Sequence, residues 1–221
     1  MQLIPCHRYA QKWSMPSTKG FHWRDNLLVC CAGEDGQRGA VVGHEDYAIR
    51  CATLADAEAL AMVHEATWRE TYIGLMSEQM LNALTADARA EAWRRILSGA
   101  AGYLATTYVA EAGGELVAFG SCGEQRDAEF AAAGYAGEIA AVYVLKIAQR
   151  RGVGTRLMTA MMQDLAERGL TGFTLWVPRD NFPARSLYEQ LGAKRIRQRE
   201  EAGEYGTLAE VAYGWHAPPP P

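Results

Sequence analysis

Residues 149–157 read QRRGVGTRL, two arginines followed by two glycines at the start of an apolar helical stripe. That arrangement suits an anion. The first turn of a helix leaves backbone N–H groups without partners, and the helix dipole makes that end positive. Gly152 and Gly154 remove the Cβ atoms that would hold a bulky anion away. Arg150 and Arg151 add fixed charge matched to phosphate oxygens. A phosphate or pyrophosphate is the implied guest. A Walker A loop needs G-x-x-x-x-G-K-[ST], which does not occur, and a dinucleotide fingerprint needs a third glycine where the chain has Leu157. Two glycines alone are explained equally well by a helix start built of small residues for close packing.

The other reactive residues form no competing pattern. Five cysteines, at positions 6, 30, 31, 51 and 122, contain no C-x-x-C, and five scattered histidines contain no H-x-x-x-H. Neither a disulfide framework nor a metal site is expected, and a reducing, cytoplasmic setting is. A net charge of −4 opposes general nucleic-acid binding, which calls for a basic excess. Hydrophobic content of 49% and charged content of 22% fit an ordinary globular chain. No stretch reaches the ~18–20 apolar residues of a membrane helix, so no membrane partner is expected.

The elements that must position the turn are legible from residue 47 onward. Residues 1–46 carry Gly and Pro punctuation without a sustained period and are expected to form a poorly ordered extension, while 217–221 are a proline tail. Between them, YAIRCA reads as a strand. TLADAEALAMVHEATWRETY reads as a helix with Thr53 and Asp56 as capping candidates. TADARAEAWRRIL is a second helix with Trp93 and Ile96 on its apolar side. TTYVAEAGGELVAFGSC is a hairpin, its turn supplied by Gly113 and Gly114. GEIAAVYVL is a buried central strand. GVGTRLMTAMMQDLAERG is a long helix with Val153, Leu157, Met161 and Leu165 in its apolar stripe. A strand, GFTLWV, a short helix, FPARSLYEQLG, and a closing antiparallel pair complete an α+β domain over residues 47–216.

EIAAVYVLKIAQRRGVGTRL resembles the acetyl-CoA motif of the GNAT superfamily of N-acetyltransferases, [QR]-x-x-G-x-[GA] after an apolar strand, through Gln149, Gly152 and Gly154. DNFPARSLYEQLGA resembles a second family segment, N-x-x-A-x-x-x-Y-x-x-x-G, through Asn181, Ala184, Tyr188 and Gly192. The family often has a proline and an aromatic where this chain has KIA, residues 146–148. The resemblance implies a mixed, mostly antiparallel twisted sheet of about seven strands flanked by four helices, with acetyl-CoA as cosubstrate. It also implies roles. Val142, Tyr143 and Val144 would offer backbone N–H groups to the acetyl carbonyl and the pantetheine arm. Arg150, Arg151, Gly152, Val153, Gly154 and Thr155 would cradle the pyrophosphate, and Asn181 would hydrogen-bond the pantetheine chain. Tyr188 would protonate the leaving thiolate, a reasonable task for a phenol of pKa near ~10. Glu138 lies where the histone-acetylating members carry their general base. The branch that acetylates ribosomal-protein N-termini has a glutamate where this chain has Trp176.

In this superfamily the first two helices wall the acceptor groove. Trp68 and Tyr72 stand four apart on one helix face, and with Ile73 they are candidates for its floor; Trp68 serves equally well as core. The expected reaction is acetylation of a primary amine on a small molecule. The alternatives are a protein or peptide N-acetyltransferase, and a non-catalytic acyl-CoA-binding module. Family members are often dimers, so a homodimer is admitted.

Overall fold

A computed structural model describes residues 47–72, 86–100, 105–203 and 206–216. The expected extension, the proline tail and Ile73 lie outside these residues. In chain order the elements are β1 (Tyr47–Cys51), α1 (Ala57–Tyr72), α2 (Ala86–Leu97), β2 (Ala105–Ala112), β3 (Glu115–Glu124), α3 (Ala128–Ala132), β4 (Gly137–Val144), α4 (Val153–Glu167), β5 (Phe173–Pro178), α5 (Phe182–Gln190), β6 (Lys194–Gly203) and β7 (Gly206–Trp215). The seven strands form one sheet in the order β1-β2-β3-β4-β5-β7-β6. Its single parallel contact among the described residues is β4 with β5.

The apolar stripes explain the layering. Leu157, Met158, Met161 and Leu165 of α4 and Leu187 and Tyr188 of α5 share one buried cluster with Ile139, Val142 and Val144 of β4. Leu60, Val63 and Trp68 of α1 and Trp93 of α2 share another with Phe119 of β3 and Tyr143 of β4, on the opposite face. Ile139 and Val142 are three apart yet face the same side, which a regular strand forbids. A bulge resolves this: Cys122 pairs with Ile139 and Ser121 with Ala141, leaving Ala140 as the extra residue.

Local chemistry sets the ends of the elements. Gly113 and Gly114, at φ 59° and 87°, make the β2–β3 turn. Asp56 Oδ2 accepts from the Thr53 N–H (2.7 Å) and hydroxyl (3.0 Å), fixing the entry to α1. The helix α3 brings the number of α-helices among the described residues to five, one more than the sequence suggests. Its five residues are too few to show a period, and Asp127 starts it by accepting from Glu129 N–H at 2.9 Å. No helix among the described residues is long and apolar enough to cross a membrane.

Candidate active site

The site begins where two strands part. β4 and β5 pair only through Gly137 with Phe173 and Glu138 with Thr174. Val142, Tyr143 and Val144 continue along β3 alone, opposite Gly120, Phe119 and Ala118. One edge of β4 therefore lines a wedge between the strands, where its outward backbone groups have no strand partner among the described residues. Tying the end of β4 to the turn beyond it, Gln149 Nε2 donates to the Val144 carbonyl at 3.0 Å.

At the end of β4 the KIA segment forms a 3-10 turn, Lys146–Ala148. The chain then enters left-handed backbone twice, at Arg150 (φ 63°) and at Gly152 (φ 78°), the residue capping α4. Arginine in that region costs about 1–2 kcal/mol, which places the strain at the turn. The first backbone donor of α4 to find an acceptor is Arg156, on the Gly152 carbonyl at 3.0 Å. The N–H groups of Gly152, Val153, Gly154 and Thr155 have no backbone acceptor among the described residues. They form a run of donors at a positive helix end, beside the exposed side chains of Arg150 and Arg151.

The short helix α5 brings Tyr188 to the same face of the sheet as α4. Its first turn is fixed by Asn181, whose Oδ1 accepts from the Ala184 N–H at 3.3 Å, and by Pro183. Tyr188 is only 2% exposed, with its ring centroid 6.0 Å from that of Tyr213 and 6.1 Å from that of Trp215. Its hydroxyl makes no hydrogen bond among the described residues. Burial pushes this phenol well above its ordinary value, so it holds its proton.

Glu138 is buried at the start of β4, and Arg126 Nε donates to its Oε2 at 3.0 Å. The carboxylate is therefore already in an ion pair, a feature invisible in the local sequence. Trp176 is packed rather than replaced by an acid. The Arg199 guanidinium lies 3.9 Å from its ring centroid and makes two hydrogen bonds of 2.9 and 2.8 Å to the buried carboxylate of Glu210.

On the α1–α2 face, Trp68 is 6% exposed and belongs to the buried cluster, so it offers no open floor to solvent. Tyr72 ends α1; its side chain lies outside the described residues, as does Ile73. The residue that the sequence reading passes over is Arg89. It stands four before Trp93 and seven before Ile96, so a charged residue occupies the apolar stripe of α2, and this was the available signal. Arg89 is 7% exposed, with its guanidinium 5.4 Å from the Trp68 ring centroid. Among the described residues no cluster of His, Cys, Asp and Glu is arranged to hold a metal ion.

The sheet is thus opened between β4 and β5, with a helix start rich in backbone donors at the opening. The model of the acetyltransferase (GNAT) family matches residues 60–193. YuaI of Bacillus subtilis, an uncharacterized N-acetyltransferase, is 30% identical over 169 residues, covering 76% of this chain and 91% of its own. Among solved structures, the PaiA N-acetyltransferase of Thermoplasma acidophilum in complex with coenzyme A matches with TM-score 0.56 at 19% identity, over 75% of this chain and 98% of its own. YncA of Salmonella typhimurium, a putative acetyltransferase with its cofactor acetyl-CoA, matches with TM-score 0.57 at 20% identity, over 77% and 93%. The chain belongs to the acetyltransferase (GNAT) family and is an acyltransferase.

Proposed function

We propose that this enzyme moves the acetyl group of acetyl-CoA directly to the primary amine of a small molecule. The observation that carries this reading is the set of N–H groups without a backbone acceptor among the described residues at the start of α4, just beyond the strand that lines the β4–β5 wedge. The cosubstrate supplies an acetyl group activated as a thioester and a pyrophosphate to hold it by. Gly152, Val153, Gly154 and Thr155 bind that pyrophosphate through backbone N–H groups, with Arg150 and Arg151 adding charge at the rim. The backbone of Val142, Tyr143 and Val144 orients the pantetheine arm and donates to the acetyl oxygen as it gains charge. Capping of α5 uses Asn181 Oδ1, so recognition of the pantetheine amides falls to Nδ2 of the same side chain.

Tyr188 delivers a proton to the departing sulfur. Its buried phenol is neutral and therefore loaded. A pure acyl-CoA-binding module would have no use for a tyrosine hydroxyl that makes no hydrogen bond among the described residues, which favours catalysis. Glu138 is the proposed acceptor of the amine's proton, received directly or through water, with Arg126 orienting its carboxylate. Trp176 fills the position that would carry the acid of the ribosomal-protein branch, and it is locked beneath Arg199. That packing favours a small acceptor over a peptide N-terminus.

The test is thiol release from acetyl-CoA by the purified protein, against polyamines, amino acids and short peptides, with the hydrolysis blank subtracted. Release with the small amines and not with the peptides is the expected result. Release with peptides alone overturns the choice of acceptor. Binding of acetyl-CoA with no release from any member overturns the catalytic reading.

A further inference from the structure

The wedge opens at one rung of the sheet. Glu138 with Thr174 is the second of the two β4–β5 pairs, and past it the strands part. Phe173, Leu175 and Ile139 belong to the buried cluster under α4 and α5, so Thr174 and Glu138, which alternate with them, point to the opposite face. Both are buried polar residues.

Two consecutive residues just past the end of β3 take hold of this rung. Arg126 Nε donates to Glu138 Oε2 at 3.0 Å. Gln125 Nε2 donates to the Thr174 hydroxyl at 2.7 Å and to the Gly137 carbonyl at 3.1 Å, so one amide nitrogen bridges β5 and β4. Its Oε1 accepts from the Asp127 N–H at 3.0 Å, and its backbone N–H donates to the Ala136 carbonyl at 2.9 Å. A carboxamide has two donor hydrogens and an acceptor oxygen, and here each has a partner. Turned over, it would set oxygen against the Gly137 carbonyl and nitrogen against the Asp127 N–H, so the partners fix its orientation.

The same segment is anchored a few residues further on. Asp127 caps α3, and Phe130 of α3 packs against Trp176, the next residue along that face of β5, with ring centroids 5.7 Å apart. Arg126 is therefore held between two fixed points, and its reach onto Glu138 follows from both. The location gives the clasp a bearing on chemistry. The backbone proposed to hold the acetyl group begins at Val142 of the same strand, with the Ala140 bulge between it and Glu138. The point at which β4 leaves β5 sets where the Glu138 carboxylate stands relative to that backbone. A misplacement of ~1 Å between reacting groups can cost about 10²-fold in rate.

We infer that Gln125 is a positioning residue for acetyl transfer, clasping the rung at which the wedge begins and so holding Glu138 in place relative to the acetyl-binding strand. This rests on the reading of Glu138 as proton acceptor, while the clasp itself rests on the hydrogen bonds of Gln125. The experiment places Gln125→Met, close in length and without the carboxamide, in the unmodified chain and in a Glu138→Gln background. Thiol release with polyamines and amino acids gives kcat and KM, calorimetry gives coenzyme A affinity, and amide hydrogen exchange follows residues 137–139 and 173–175. Gln125→Met should lower kcat about 10- to 10²-fold, while KM for acetyl-CoA and affinity for coenzyme A change less than about twofold. In the Glu138→Gln background the same substitution should change kcat little, because the group it positions is gone. A residue that only supports the fold lowers the rate in both backgrounds. Exchange over both segments should quicken in the Gln125→Met chain without ligand. Thr174→Val, which deletes a single hydroxyl from the clasp, should move kcat and exchange in the same direction, and it decides the matter if Gln125→Met does not fold. An unchanged kcat, or an equal fall in both backgrounds, overturns the inference. If Glu138→Gln turns over like the unmodified chain, or if no amine is acetylated at all, the proposed chemistry fails. Quickened exchange then leaves the clasp standing, and unchanged exchange overturns it as well.

Discussion

Replacing Tyr188 by phenylalanine separates packing from chemistry at one residue. The ring of Tyr188 is 2% exposed and packs beside Tyr213 and Trp215, and phenylalanine preserves those contacts. The hydroxyl has no hydrogen bond among the described residues, so its removal breaks none in the fold. Deleting a hydroxyl that makes no hydrogen bond in the fold breaks no interaction there, so the melting temperature should hold. Turnover should fall ~10²- to 10⁴-fold, the usual contribution of a positioned proton donor. At 1.36 kcal/mol per tenfold, that is about 2.7–5.4 kcal/mol of transition-state stabilisation from one oxygen atom. Affinity for acetyl-CoA should change little. Initial rates of thiol release, titration calorimetry with coenzyme A and a thermal melt measure the three quantities. Alkaline titration adds a fourth. Burial raises the Tyr188 pKa, so the unfolded phenol loses its proton near pH ~10 while the folded one keeps it, and stability falls as pH rises through that range. The variant should lose that part of the alkaline destabilisation. Wild-type turnover in Tyr188→Phe would refute the proton-donor role. Turnover, affinity and melting temperature falling together would show that the residue acts only by packing.

Gly154→Val should abolish coenzyme A binding by calorimetry, because its branched side chain enters the space the pyrophosphate needs; normal binding would mean that the helix start is not the phosphate site. Asp56→Asn tests a linkage to acid. The Arg50 guanidinium, hydrogen-bonded to Asp56 at 2.8 Å, holds that carboxyl down to about 2 from an ordinary 3.8. Its stabilisation is full above the unfolded value and is lost as pH falls toward about 2, so melting temperatures of Asp56→Asn should depend less on pH below ~4 than those of the parent chain. Glu210→Ala removes the partner of Arg199 while the guanidinium stays over Trp176, and should destabilise the fold by about 3–5 kcal/mol in urea melts. A loss below ~1 kcal/mol would show that solvent already screens the pair.

What the sequence disclosed and what it hid follow a physical division. The start of α4, the glycine turn of the hairpin and the cap of α5 depend on residues a few positions apart, and local patterning carried them. The apolar run of β4 marked a central strand, though nothing in it marked the bulge at Ala140, which exists only in the register with β3. The ion pair of Glu138 with Arg126 spans the α3 segment, a helix too short to leave a period. The residues of the α1–α2 wall were the hardest. Trp68 fits a groove and a core equally by spacing, and the structure puts it in the core. Arg89 sat on an apolar stripe in plain view, but charged residues on helices are usually solvated, and what its own helix does not reveal is that its guanidinium lies against Trp68 of α1.

The short ladder between β4 and β5 has a mechanical meaning. Among the described residues, two pairs of residues are all the strand pairing that joins β1-β2-β3-β4 to β5-β7-β6. The sheet is creased there, and what holds its halves together is chiefly the buried cluster under α4 and α5, which runs from β4 to β5 and β7. Acetyl-CoA seated in the crease, as proposed, would touch both sides and add to that tethering. At a hundredfold excess over its dissociation constant such a ligand adds about 2.7 kcal/mol against opening. Cosubstrate and apolar core would thus share one task, the core tying the crease from beneath and the cosubstrate from within it.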